Sequence, residues 1–152
     1  MARRWIEDQG YTVHDANVIF GANCPNVDLI VYRQSDALYV QVKSSSKPAG
    51  ADAIVVDGSP WTEQQLYHDA PLFNKHDGLH ASLVIIVHMT RDSLVEFYLV
   101  PPRELESLLR PLAQALAQKK KRDGTSRSIK FRKELPRDAL MPWLNAADFL
   151  AT

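Results

Sequence analysis

A single cysteine, Cys24, occurs in the 152 residues, so no internal disulfide can form. Such a chain suits a reducing compartment, and a small loop thiol is the expected role of Cys24. No apolar run approaches the roughly 20 residues that a membrane-spanning helix needs. The start carries no apolar h-region of a secretory signal. Together these absences point to a cytoplasmic protein with no membrane partner. No internal repeat is present, and the formal net charge is zero. What is there is ordinary for a globular domain: 45% hydrophobic and 24% charged residues. At this length one domain over 1–152 is expected, large enough to bury a real core.

The coarse pattern alternates strands and helices. A short helix over 2–9, closed by Gly10 and placing Trp5 and Ile6 inward, precedes a strand that starts at Tyr11 and closes with Val18, Ile19 and Phe20. Two apolar strands, 27–32 and 38–42, follow around the turn Gln34-Ser35-Asp36. A Ser-rich connector leads to a short extra strand at 54–56. Ser59 then reads as an N-cap and Pro60 as the first position of a helix running to about His68. Residues 83–89 form the strongest buried strand, with 94–100 as its hairpin partner. Pro101-Pro102 opens a long helix with Leu105, Leu108, Leu109, Leu112 and Leu116 on one apolar face. An edge strand at 128–132 and a short amphipathic helix from 139 to 150, packing Leu140, Trp143, Leu144 and Phe149, complete the chain. His76 and His80 have the spacing of a zinc pair, but Gly78 between them opposes a helix and no cysteine supports the site.

The central hairpin carries the chemistry. Asp28, Gln41 and Lys43 interrupt strands that are otherwise apolar, and polar groups there are costly unless they pair or bind something. Gln41 and Lys43 share one face because side chains alternate along a strand. If the two strands pair, Asp28 reaches that face too. Two readings stay open from the residues: a buried Asp28–Lys43 ion pair with Gln41 bonded to backbone, or a site for a ligand.

At these residues the chain resembles the PD-(D/E)XK nuclease superfamily. Pro25-Asn26-Val27-Asp28 supplies the Asp that opens one strand, and Gln41-Val42-Lys43 supplies the second half, as the QxK variant found in some restriction enzymes. The resemblance implies an α/β fold, with a restriction-endonuclease-like mixed sheet flanked by helices on both faces. It implies a Mg2+-dependent (or Mn2+-dependent) endonuclease acting on DNA phosphodiester bonds. In that role Asp28, Gln41 and the Val42 carbonyl would hold the metal, and Lys43 would lie beside the attacking water or the scissile phosphate. In many members a Glu on the first helix completes the site; here that is Glu7, which otherwise reads as a solvated helix residue. Gln in place of an acid removes one anionic ligand. The alternative is therefore a weak or inactive nuclease fold kept as a nucleic-acid-binding or protein-interaction module. A third reading is an oligomerisation or regulatory subunit that uses the Leu-rich helix, with a homodimer among its forms.

The zero net charge hides a polarised chain. From 119 to 137 there are nine basic residues against Asp123 and Glu134. Lys119, Lys120, Lys121, Arg122, Arg127, Lys130 and Arg132 are the candidates for contact with nucleic-acid phosphates. The plainer reading of the first four is a helix C-terminus complemented by cations.

Overall fold

The computed structural model describes residues 1–21, 23–45, 53–56, 61–67, 71–90, 92, 94–122 and 134–151. The elements run α1 (Ala2–Asp8), β1 (Thr12–Asp15), α2 (Ala16–Phe20), β2 (Leu29–Tyr32), β3 (Ala37–Ser44), β4 (Ala53–Val55), α3 (Glu63–Tyr67), β5 (Leu83–Met89), β6 (Val95–Val100), α4 (Pro102–Arg122), β7 (Glu134–Pro136), α5 (Arg137–Leu140) and α6 (Asp148–Ala151), with a 3-10 turn at Met141–Trp143 between the last two. Five strands form one sheet in the order β1-β2-β3-β5-β6. Only the β3–β5 pair is parallel; the other neighbours are antiparallel, so the sheet is mixed. β4 and β7 form a separate two-stranded antiparallel ribbon.

Alternation along the strands divides the core in two. Val13, Val31, Leu38, Val40, Ile85 and Leu99 point to one face, where Ile6 of α1 and Leu150 of α6 cover them. Trp5 stacks on Phe97 there, with ring centroids 5.0 Å apart, a contact worth about 1 kcal/mol beyond its area. Val84, Ile86, Tyr98 and Val100 point to the other face, beneath α3, α4 and the β4–β7 ribbon. Farther along that second face, Ala16, Val27 and Ile30 make a smaller, separate cluster. Helices thus flank both faces of a mixed α/β sheet, as expected.

The β2–β3 hairpin closes as its sequence suggests. The Arg33 N–H donates to the Asp36 carbonyl at 2.9 Å, and the Arg33 guanidinium grips the Asp36 carboxylate at 2.6 and 2.7 Å. Gly10 takes φ +96° after α1, a conformation that residues with a Cβ rarely adopt.

Four elements differ from the sequence reading. Residues 16–20 form a helical turn, not the end of a strand, and leave Val18, Ile19 and Phe20 exposed. The helix at 63–67 starts from Thr62, whose N–H donates to Gln65 Oε1 at 2.9 Å while the Gln65 N–H donates to Thr62 Oγ1 at 3.3 Å. That reciprocal pair is a capping box; Ser59 and Pro60 lie outside the described residues. In α4 the inward face is Leu105, Leu109, Ala113 and Ala117, an i, i+4 ridge, with Leu112 42% exposed. The C-terminal segment is not one helix: Asn145 takes φ +50° and splits it into short turns around Pro142. The expected edge strand at 128–132 falls outside the described residues.

Candidate active site

The second face of the sheet is covered by two separate clusters, and Gln41 and Lys43 of β3 lie where they part. They line a cleft of about 370 Å³ with Asn23, Pro25 and Asn26 of the segment leading to β2 and with residues 72–76. β3 places both side chains on this face because they are two residues apart, while Val40 and Val42 turn to the other cluster.

Asp28 sits just before β2 and is fastened to β3 on either side of Gln41. Its N–H donates to the Val40 carbonyl at 2.8 Å, and its Oδ2 accepts from the Val42 N–H at 2.7 Å. The carboxylate therefore replaces a ladder partner rather than pairing with a cation. Among the described residues no ion pair joins Asp28 to Lys43, and Gln41 Oε1 is buried without a donor. The reading as a buried ion pair with Gln41 bonded to backbone is thus not what the structure shows. An unsatisfied buried oxygen costs roughly 1–3 kcal/mol unless something supplies a donor or a cation.

The far wall of the cleft is the 71–82 loop, held by three side chains. Asn26, itself buried at φ +66°, donates from Nδ2 to the His76 carbonyl at 2.7 Å and the Leu79 carbonyl at 3.1 Å. Its Oδ1 accepts from the His76 N–H at 3.3 Å. Asn74 makes a two-way pair with the Ala81 backbone at 2.8 and 2.9 Å. Glu106 of α4 accepts from the Leu72 and Phe73 N–H groups at 2.9 and 3.1 Å. This bracing carries Lys75 to the cleft. Desolvation by the cleft walls, and then the nearby Lys43 cation, push the Lys75 ammonium below the usual lysine range.

Of the other sequence candidates, Glu7 is engaged by Arg3 at 3.0 Å, and Arg3 also reaches Asp15 at 3.2 Å. That chain ends on β1, on an exposed rim; Glu7 makes no hydrogen bond or ion pair with Asp28, Gln41 or Lys43. His80 donates from Nε2 to the His76 carbonyl at 3.1 Å, which uses the pair locally. Among the described residues no group of three or more His, Cys, Asp or Glu could hold a metal ion. Lys119 is exposed on α4; Lys120, Lys121 and Arg122 belong to the last turn of that helix. Arg127, Lys130 and Arg132 lie outside the described residues. No described helix is long and apolar enough to cross a membrane.

A second polar group went unnoticed in the sequence. His88, Glu96 and Tyr98 share the second face on β5 and β6, all buried. Arg137 of α5 grips Glu96 at 2.6 and 2.8 Å, and the Tyr98 hydroxyl donates to Glu96 Oε2. Burial raises the Glu96 pKa, but the Tyr98 and Arg137 bonds outweigh it and hold the carboxyl below the usual range. Burial pushes His88 down, opposed by Glu96 and aided by Arg137.

No protein-family model matches the chain, and no curated protein matches it. Among solved structures, the chain is similar to a bacterial homing endonuclease, I-Ssp6803I. The likeness has a TM-score of 0.41 and 20% identity, and it spans 67% of this chain and 58% of the other. So loose a likeness fixes neither a family nor an activity.

Would Mg2+ fit here? A hard cation of this kind takes oxygen ligands and is commonly bound through one or two carboxylates, substrate phosphates and waters. The unsatisfied Gln41 Oε1 and the neighbouring Asp28 carboxylate match that donor chemistry, as a sparse site.

Proposed function

We propose that this protein is a metal-dependent, endonuclease-like phosphodiesterase that acts on DNA at the Gln41–Lys43 cleft. The observation that carries the reading is the buried, unsatisfied Gln41 Oε1 at the wall of a cleft that Gln41 and Lys43 both line, with Asp28 bonded to β3 on both sides of Gln41. Asp28, Gln41 and the Val42 carbonyl would hold Mg2+ or Mn2+. The metal would supply Lewis-acid activation of water and phosphate. Lys43 would lie against the scissile phosphate, where a fixed cation stabilises charge developing on the phosphoryl oxygens. Asp28 keeps β3 in register, so that Gln41 and Lys43 keep their spacing as charge builds.

A second reading has its own support: a nuclease fold kept for binding. Asp28 Oδ2 is already committed to the Val42 N–H, and the described residues offer no three-ligand cluster. Plasmid nicking with Mg2+ or Mn2+ separates the two. Turnover that Lys43→Ala and Asp28→Asn both abolish, with the fold intact by circular dichroism, supports the enzyme. Salt-sensitive DNA binding without turnover selects the binding module.

A further inference from the structure

We propose that Lys75, on the braced 71–82 loop, closes with Lys43 a two-cation clamp that takes one phosphate of a nucleic-acid strand. The inference rests on the reading of the cleft as a phosphodiester site and adds to it a residue far from the Asp28 hairpin in sequence.

Two lysines line one cleft, and none of the described residues in its lining is acidic. Lost hydration in the cleft, and then the Lys43 cation that lines it too, lower the Lys75 pKa. Like charges are ordinarily relieved by swinging the side chains apart or by letting the loop withdraw. Withdrawal is prevented here, because the residues on both sides of Lys75 are pinned: Asn74 to the Ala81 backbone, His76 to Asn26. Glu106 fixes the preceding Leu72 and Phe73 amides from α4. A fold that spends this many bonds to hold a cation opposite another cation is arranged for an anion between them. A phosphate diester suits the space, since it offers two unesterified oxygens to two ammoniums and its ester arms can leave through the open side. Gln41 also offers an amide beside them.

The test uses the full chain in metal-free buffer with EDTA, so that binding is read without cleavage. A fluorescein-labelled DNA duplex is titrated by anisotropy over a salt series, and inorganic phosphate is titrated by amide chemical shift. The clamp predicts that Lys75→Gln weakens DNA binding about tenfold and lowers the salt slope by about one phosphate contact. Lys75→Arg should keep most of the affinity, and the phosphate-induced shifts at residues 43 and 75 should vanish in Lys75→Gln. Urea midpoints check that each variant is folded. Parental affinity and slope in Lys75→Gln overturn the clamp, as does phosphate binding in a protein that binds no DNA. A parent whose DNA binding depends on Lys75 but which never nicks DNA in Mn2+ keeps the clamp and removes the enzyme reading. Nicking at parental kcat and KM in Lys75→Gln does the reverse.

Discussion

At the residue scale, the shared face of Gln41 and Lys43 was legible because strand alternation is a strict rule. Two polar residues at spacing two must share a face, and Gln41 and Lys43 do. What could not be read was the partner of each group. Asp28 takes a backbone N–H from β3, not the lysine ammonium, and Lys75 comes to the cleft on a loop that Asn26, 50 residues from the His76 it holds, helps to brace. Such contacts depend on the closed fold and leave no local signal beyond an Asn in a Pro-Asn turn. Gln41→Glu adds an anionic oxygen at nearly unchanged volume where an acceptor now lacks a donor. If the metal reading holds, calorimetry should show tighter Mn2+ binding, by about tenfold, and nicking at least as fast as the parent; Asp28→Asn should erase both. A Glu variant that gains neither would leave the hairpin as a binding relic. The buried His88–Glu96–Tyr98–Arg137 group makes a separate prediction. His88 is pushed below its ordinary value of about 6.5, so the unfolded chain takes up a proton first as pH falls. Its stability contribution is present above about pH 6.5 and is lost as pH falls below it. Glu96 is held below about 4.3, so its contribution is lost at still lower pH, through the folded-state value. Both signs agree: stability should fall from pH 7 to pH 5, by up to about 1.4 kcal/mol per pH unit for the histidine alone. Urea midpoints over that range measure it, and His88→Gln should flatten the pH 5–7 part; an unchanged slope would assign the acid sensitivity to another group.

At the element scale, apolar runs with turn residues between them were readable, and both hairpins formed where expected. The failures share a cause: local preference was overruled by what surrounds the segment. Val18, Ile19 and Phe20 are strand formers by composition, yet they follow Asp28's backbone bond to Ala16 and wind into a turn whose side chains face outward, Phe20 edge-on to Tyr39. In α4 five leucines suggested one face, but close packing on the sheet selected the Leu105–Leu109–Ala113–Ala117 ridge, because small residues let the helix approach. The same helix contains Pro111, exposed and well inside its 21 residues. A proline there removes one backbone bond and crowds the preceding turn, at a cost of up to about 3 kcal/mol. Since no buried contact depends on the ring, Pro111→Ala should raise the stability of the domain by about 1–2 kcal/mol, read as a higher urea midpoint at unchanged slope. A loss of stability instead would mean that Pro111 shapes the fit of α4 against the sheet. At the start of α3, Thr62→Ala breaks the capping box and should cost about 1 kcal/mol.

At the scale of the whole molecule, charge is distributed more unevenly than the net of zero suggests. The chain through residue 118 is acidic on balance, and the basic residues concentrate between 119 and 137. Only part of that region is described: Lys119 to Arg122 end α4, whose buried ridge packs on the same sheet face as the cleft. The Lys43–Lys75 pair in the cleft and exposed Lys119 of α4 therefore lie on elements that share one side of the sheet. A polyanion engaging both would be held by phosphate contacts that specify no sequence. Each phosphate neutralised releases counterions, so affinity should fall steeply with salt. Charge reversal at Lys120, Lys121 and Arg132 should then weaken DNA binding across all sequences, by tenfold or more at about 0.1 M salt, and flatten the salt slope by about three contacts. Cleavage per bound complex should change little, because the proposed chemistry rests on Asp28, Gln41 and Lys43 and asks only phosphate contact of these residues. Lys43→Ala differs: turnover should vanish altogether, while affinity falls only by the roughly tenfold expected of one lost clamp contact. Anisotropy over a salt series, paired with single-turnover nicking, resolves the two effects on one preparation. An unchanged salt slope in the triple reversal would make the basic stretch a solvated surface and confine nucleic-acid contact to the cleft.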